Sequence, residues 1–351
     1  MQQVKLYISI FCVIVISLSS FTQDIHFSNM DYSPLTVNPS LAGASESAQA
    51  MLNYRTQWNS VGAPFQTIAA SGDMRIPLKS NEIQNGFLSI GLNLFNDQIG
   101  QPRISTNQVA ISSAYHLKIN LKNFIGLGIN AGFGQRVLDE GSGQWGNQYN
   151  GSQYDASLPS GESLINNSFS YFTTGAGFVY SYNQKNNRRG KSDDNFSLVT
   201  GVAAYHLNRP TYSFLNDSAE RLLMRVSSFV NASIAFPDKK IAIEPGAYFQ
   251  IQGPSRELFF GSDLKYFLNT SSEATNFVRS NSVSAGVYYR LGDAIITRAA
   301  FNYGDFSVGM SYDFNASKLT DVTRGRGGAE IFLSWSLGQS FQNSMGSPRM
   351  K

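Results

Sequence analysis

The chain has 351 residues, 15% of them charged, and a formal net charge of +3. This charged fraction is well below the roughly 25% of ordinary soluble domains, yet the mean hydropathy is slightly negative at -0.19. The sequence contains no long run of Lys or Arg, which argues against a surface that binds nucleic acid.

The first 22 residues have the order of features that is typical of an export signal. Lys5 supplies a positive charge, residues 6–18 form an apolar core, and small polar residues follow. The sole cysteine, Cys12, lies within this apolar core. We therefore expect residues 1–22 to be a signal peptide, and the exported chain to contain no thiol and no disulfide.

Residues 23–47 are too polar to cross a bilayer. Pro34, Pro39 and Gly43 interrupt the segment, so it cannot form a long helix or strand. It is also too apolar for a free tail, and we expect it to pack against the rest of the chain. Its larger apolar residues are Phe27, Tyr32, Leu35, Val37 and Leu41.

Most of the remaining chain alternates between apolar residues and small or polar ones, which is the periodicity of a β-strand. Ile125, Leu127 and Ile129, for example, alternate with glycine and asparagine. Clusters of Gly, Pro, Asn and Asp separate the strand candidates. These candidates span residues 48–58, 64–77, 86–97, 103–118, 123–138, 168–183, 195–208, 222–236, 241–252, 256–268, 281–291, 294–303, 305–315 and 328–338.

Alternation alone fits either a soluble β-sandwich or a transmembrane β-barrel, because one face is apolar in both. The low charge and the small polar residues of the second face favour a barrel, whose outer face meets lipid. Each candidate has about nine residues or more, enough to cross a bilayer as a tilted strand. We therefore predict an all-β protein, a transmembrane antiparallel β-barrel of about 14 strands over residues 48–338, followed by a short C-terminal tail at residues 339–351.

A barrel of this size holds either water or a plug in its lumen. We hypothesise that residues 23–47 fold back and partly plug it.

The longest predicted connection, residues 139–167, falls on the outer side if the first strand starts in the periplasm. It lacks Lys and Arg and contains Trp145, Tyr149 and Tyr154. Because aromatic side chains often dominate the binding energy of protein interfaces, we predict that these three residues contact a partner. The alternative is that the loop folds over the barrel mouth and packs its rings against the wall.

The sequence offers little for catalysis or metal binding. His26, His116 and His206 are too scattered for a metal-binding motif, and no cysteine pair is present. His116 and His206 each lie in the tetrapeptide Ala-Tyr-His-Leu, which we interpret as part of an interfacial aromatic belt rather than a catalytic pair. We predict no catalytic, cofactor-binding or metal-binding residue.

Several motifs occur in a specific order. They include Gln-Asp-Ile-His-Phe-Ser at residues 23–28, Ser-Pro-Leu-Thr-Val-Asn-Pro-Ser-Leu-Ala-Gly at 33–43 and Tyr-Arg-Thr-Gln-Trp at 54–58. Together with later matches up to about residue 337, this order resembles the PorP/SprF family of type IX secretion system membrane proteins. The motif residues shared with this family include Asn38, Pro39, Gly43, Tyr54, Arg55 and Trp58.

The resemblance implies an integral protein of the outer membrane of a Bacteroidota-type bacterium, working with the type IX secretion and gliding machinery and without a cofactor. The implied partners are type IX secretion components, outer-membrane lipid and a secreted surface protein, such as an adhesin, with a C-terminal sorting domain. The predicted function is to assist the export or surface anchoring of that protein. A passive outer-membrane pore or small-molecule transporter is the alternative. An outer-membrane enzyme is a third class, which would need a Ser-His pair at one rim.

Overall fold

The computed structural model describes residues 24–337 apart from residue 61, 77–85, 101–102, 121, 162–166, 185–194, 216, 218, 237–238, 269–280 and 318–319. The predicted signal peptide and C-terminal tail lie outside the described residues.

The described chain forms a closed antiparallel barrel of fourteen strands, in which each strand pairs with its neighbours in sequence and β1 pairs with β14. The fold predicted from alternation is thus confirmed, and the predicted strand ends agree with the observed ones to within three residues. The strands are β1 Ala48–Gln57, β2 Phe65–Ile76, β3 Gly86–Ile99, β4 Arg103–Lys118, β5 Asn123–Asp139, β6 Ser168–Gln184, β7 Asn195–Tyr205, β8 Arg225–Phe236, β9 Ile241–Gln252, β10 Ser255–Phe267, β11 Ser282–Arg290, β12 Ala294–Tyr303, β13 Phe306–Asn315 and β14 Arg326–Leu337.

The helical elements are all short. Among the described residues, no helix is long and apolar enough to cross a membrane. The α-helical turns are α1 Pro34–Val37 and α2 Thr320–Thr323, and the 3-10 turns are Met30–Tyr32, Pro39–Leu41, Glu140–Ser142 and Gly146–Gln148.

The two faces of the wall differ in polarity, as β5 illustrates. Leu127 and Ile129 point outward and are 62% and 67% exposed, whereas Gly128 and Asn130 point inward and are buried. Large apolar side chains cover the outer faces of all the remaining strands in the same way. An apolar outer face around a polar interior is the arrangement of a barrel that sits in lipid.

The barrel has two rims, which we name by what they carry. The terminal rim carries Ala48 at the start of β1 and Leu337 at the end of β14, which pair with each other. The opposite rim, the loop rim, carries the long connection between β5 and β6.

Residues 24–44, which we call the lumenal segment, cross the interior of the barrel. At the loop rim, the backbone N–H of Asp24 donates a hydrogen bond to Gln252 at 2.8 Å. Towards the terminal rim, the N–H of Gly43 donates to Asp73 at 2.7 Å. The chain therefore enters at the loop rim, runs through the lumen and leaves at the terminal rim to begin β1.

The lumenal segment contacts all fourteen strands, which is possible only from inside the barrel. One contacted residue for each strand, from β1 to β14, is Arg55, Asp73, Ser89, His116, Gly128, Phe178, Tyr205, Ser227, Tyr248, Glu257, Arg290, Arg298, Asp313 and Glu330.

Candidate functional site: the lumenal segment and the loop rim

Proline and asparagine side chains shape the lumenal segment locally. Pro34 stands at the first position of α1, where its missing N–H leaves no bond unmade. Asn38 caps the turn that follows, because its Oδ1 accepts hydrogen bonds from the N–H and the hydroxyl of Ser40 at 2.9 and 2.6 Å. Successive short turns make the segment compact enough to pack inside the lumen.

Asn38 also joins the segment to the wall. Its Nδ2 donates to the backbone carbonyls of Phe178 on β6 and Val202 on β7, at 3.0 and 3.2 Å. The side chain is fully buried, and its amide oxygen and nitrogen are both hydrogen-bonded, as a buried amide requires.

Inward-facing glycines make room for this contact. A Cβ at Gly128 would collide with the backbone of Ser40, and one at Gly177 would collide with the amide of Asn38. Glycine within a strand often marks a place where another backbone approaches closely. In the sequence these glycines are only small residues of a strand face. In the structure, the lumenal segment lies directly against them, and their lack of a side chain makes this contact possible.

Gly43 ends the segment with a left-handed backbone, φ +64°. Its carbonyl accepts a hydrogen bond from Arg75 Nε at 2.8 Å, which complements the bond from its N–H to Asp73. A Cβ at this position would lie 2.6 Å from the Cβ of Ser89. Both the backbone angle and the close approach therefore select glycine here.

The interpretation of His116 and His206 as parts of an interfacial belt is wrong. His116 is buried and its Nε2 lies 2.8 Å from the carbonyl of Ala42. His206 is also buried and its Nε2 lies 2.6 Å from a carboxylate oxygen of Asp24. Both rings point into the lumen and contact the segment there. The alternation of the strands does not reveal this role, because it does not show which inward-facing side chains have polar partners in the lumen.

A buried charge network surrounds Ser28. Arg55 binds Asp313 at 2.9 Å and Glu330 at 3.1 Å. Its guanidinium also donates to the Ser28 hydroxyl at 2.5 Å, and the Ser28 N–H donates to Glu330 at 2.7 Å. These bonds compensate charges that would otherwise be costly inside the barrel.

Arg290 extends the network along the wall. It pairs with Glu257 at 2.9 Å and with Asp313 at 3.0 Å. Further into the lumen, Arg298 pairs with Asp31 of the segment at 2.7 Å. The lumenal segment is thus held by ion pairs as well as by hydrogen bonds.

Neighbouring charges shift the pKa of one group of the segment, and burial shifts that of another. Burial alone would raise the pKa of Asp24, but His206 and Arg225 outweigh this effect and hold that pKa well below its usual range. Burial lowers the pKa of His26 to about 4, although Glu257 lies 3.8 Å away. At neutral pH Asp24 is therefore a carboxylate and His26 is uncharged.

The predicted motif residues separate into three environments. Asn38, Pro39, Gly43 and Arg55 are all buried inside the lumen, although they contact different parts of the wall. The other two motif residues lie elsewhere. Tyr54 points outward, and Trp58 lies at the loop rim, where its backbone N–H donates to the carbonyl of Gly327 at 3.0 Å.

The predicted partner-contact residues lie in one compact loop. Tyr149 and Tyr154 form an isolated β-bridge and are 59% and 40% exposed, whereas Trp145 is half-buried. Gln148 organises the loop, because its Oε1 accepts from the N–H of Trp145 at 3.2 Å and from the hydroxyl of Tyr154 at 3.1 Å. The two tyrosines remain accessible at the loop rim.

The lumenal segment separates two cavities. One, of about 530 Å³, opens at the loop rim and is lined in part by Asp24 and His26. The other, of about 270 Å³, lies on the opposite side and is lined in part by Asn29, Asp31 and Tyr32. We call the first cavity the outer vestibule.

Within the part of the chain that the structure describes, no group of three or more His, Cys, Asp and Glu residues could hold a metal ion.

Comparison with known proteins finds a matching family model and several solved barrel structures that resemble the chain. The model of the family described as type IX secretion system membrane protein PorP/SprF matches residues 19–335. The comparison with curated proteins gives no match.

Solved structures that resemble the chain include three barrels. The CymD monoaromatic hydrocarbon channel is 13% identical, with a TM-score of 0.45 over 89% of this chain and 94% of that one. A Pseudomonas aeruginosa FadL homologue is 9% identical, with a TM-score of 0.46 over 90% and 99%. BamA from Haemophilus ducreyi, lacking POTRA domains 1–3, is 10% identical, with a TM-score of 0.38 over 83% and 70%.

Proposed function

Because the chain belongs to the PorP/SprF family of type IX secretion system membrane proteins, we propose that it assists the export or surface anchoring of a secreted protein. In this proposal it is an integral outer-membrane barrel of a Bacteroidota-type bacterium and works with other type IX secretion components. The partner is an adhesin-like surface protein that carries a C-terminal sorting domain, and it engages the barrel at the loop rim.

The observation that carries the proposal is the occupied lumen. A passive pore or small-molecule transporter needs a continuous aqueous route through the barrel. Here the lumenal segment is bonded to strands all around the wall and separates the two cavities. A barrel closed by its own chain is better suited to holding a protein at its mouth than to passing solutes.

The exposed tyrosines of the long loop supply a contact surface for that partner. Tyr149 and Tyr154 present large, rigid side chains at the loop rim, and Trp145 is half-buried in the same loop. Aromatic side chains of this kind are common anchors in protein interfaces. We propose all three as partner-contact residues.

A pull-down tests the proposal. The tagged protein is purified from outer membranes in mild detergent, and the copurifying proteins are identified by mass spectrometry. We expect a large secreted protein bound through its C-terminal domain. Recovery of the barrel alone, together with steady ion conductance in planar bilayers, would contradict the proposal and favour the pore.

Variants locate the contact. Replacing Trp145, Tyr149 and Tyr154 by Ser is expected to reduce partner recovery at least about tenfold, since each hot-spot side chain contributes about 2 kcal/mol or more. Tyr303→Ser is the matched control, because Tyr303 is an exposed aromatic residue at the terminal rim. Equal recovery of the partner with both variants would show that the loop does not contact the partner.

A further inference from the structure

One arginine inside the barrel lacks the partner that the others have. Among the described residues, five arginines are buried, and four of them lie within 3.3 Å of a carboxylate oxygen. The fifth, Arg136, has no carboxylate oxygen within 4.0 Å in the described part of the chain. Its Nε has no hydrogen-bond partner, as is also true of one guanidinium nitrogen in each of the other four. Only 7% of its surface is exposed.

Aromatic rings hold the Arg136 side chain in place. Its guanidinium lies over the ring of Tyr212 at 4.9 Å and near that of Phe214 at 6.0 Å. Phe169 packs edge-on against both of these rings. The cation–π contacts orient the guanidinium but do not neutralise its charge.

Arg136 opens onto the outer vestibule. It lines this cavity near the loop end of β5, together with the aromatic residues Trp58, Phe95 and Tyr171. The volume of about 530 Å³ lies within the range of about 300–1,000 Å³ that is usual for ligand pockets. Asp97, which interacts electrostatically with Arg136, already accepts a hydrogen bond from Thr67 at 2.6 Å.

We propose that the outer vestibule is a binding site for a carboxylate carried by a peptide segment, and that Arg136 is the residue that recognises it. A buried guanidinium without a carboxylate partner is costly, and a carboxylate that forms two parallel hydrogen bonds with it removes that cost. The aromatic walls would pack against the apolar residues that flank the acidic one. The proposal rests on the proposed function, because the secreted partner is the protein that would supply the peptide.

Calorimetric titration of the purified full chain in detergent tests the site. The probes are acetyl-Ala-Phe-Asp-Phe-Ala-amide and its analogue with Asn in place of Asp. We expect the wild type to prefer the acidic peptide at least about tenfold, which corresponds to about 1.4 kcal/mol. Free sodium acetate is the third probe, and it should bind much more weakly. No preference for the acidic peptide, or binding of acetate as tight as that of the peptide, would overturn the proposal.

Arg136→Gln is expected to abolish the preference. Arg256→Gln is the matched control and should retain it, because Arg256 lines the same cavity but is exposed. Should Arg136→Gln fail to fold, Arg136→Lys replaces it, since an ammonium cannot form the two parallel bonds. We expect this variant to weaken the preference, and an unchanged preference in either Arg136 variant would overturn the proposal.

The partner pull-down separates this inference from the proposed function. Wild-type recovery of the partner with Arg136→Gln would contradict the role of the vestibule while leaving the proposed function intact. A peptide preference that requires Arg136, with no partner recovered from membranes, would support the carboxylate site and contradict the proposed function.

Discussion

Arg55 links three parts of the chain that are far apart in sequence. It joins Asp313 on β13, Glu330 on β14 and Ser28 of the lumenal segment. Removing one member of a buried ion-pair network leaves uncompensated buried charges. Much of the stability of the closed barrel near the loop rim is therefore expected to depend on this single guanidinium.

We predict that Arg55→Gln lowers the free energy of unfolding by about 3–5 kcal/mol, the usual cost of breaking a buried pair. Urea unfolding of the detergent-solubilised protein, followed by tryptophan fluorescence, measures the change. Arg326→Gln is the control, because Arg326 lies on the same strand as Glu330 but is exposed. Equal unfolding midpoints for the two variants would contradict the importance of the network.

Neighbouring motif residues show what the sequence can and cannot predict at this scale. Tyr54 and Arg55 are consecutive, yet one faces outward and the other is fully buried. Strand alternation predicts that they point to opposite sides. It cannot predict which carboxylates Arg55 meets, because those lie more than 250 positions away in the chain.

At the scale of elements, the strands are the part of the structure that the sequence predicts best. Each strand separates lipid from a polar lumen, so its side chains alternate strictly and its ends are marked by turn residues. The path of the lumenal segment has no such periodicity. Its contacts are with strands spread over the whole chain, and only its mixed polarity indicated that it packs inside.

The lumenal segment is predicted to control conductance. Deleting residues 24–44 should leave the wall intact and join the two cavities into an open channel, which planar-bilayer recordings would detect as a steady increase in ion current. The control is a deletion of residues 146–158 in the long loop, which should leave the current unchanged. Heat-modifiability on gels confirms that both variants form barrels.

A less drastic variant complements this deletion. Asp31→Asn weakens the pair with Arg298, which is 2.7 Å long, and is expected to give intermittent openings. Wild-type conductance in both the deletion and Asp31→Asn would show that the segment does not close the lumen.

At the scale of the whole molecule, the even number of strands places the start of β1 and the end of β14 at the same rim. Outer-membrane barrels with this arrangement have both ends in the periplasm and their long loops outside. In the proposed function, the loop rim, with the outer vestibule and the exposed tyrosines, is then the face that meets the secreted partner.

Labelling of intact cells tests this orientation. The only cysteine of the chain is Cys12, within the predicted signal peptide, so single cysteines can be introduced into the exported protein. We predict that Tyr149→Cys reacts with a membrane-impermeant maleimide. Lys239→Cys, at a turn of the terminal rim, is the control and should react only after the cells are opened. The reverse pattern would place the terminal rim outside.

The bonds around Ser28 also bear on how the barrel assembles. The ring closes where β1 meets β14, and Ser28 is bonded to Arg55 on one side of that seam and to Glu330 on the other. The first exported residues are thus connected to the last strand to be made, across a separation of about 300 positions. Contacts this distant form late and slowly. Because the segment lies inside the closed ring, we expect it to be enclosed before the seam forms, with ring closure as the final step of folding.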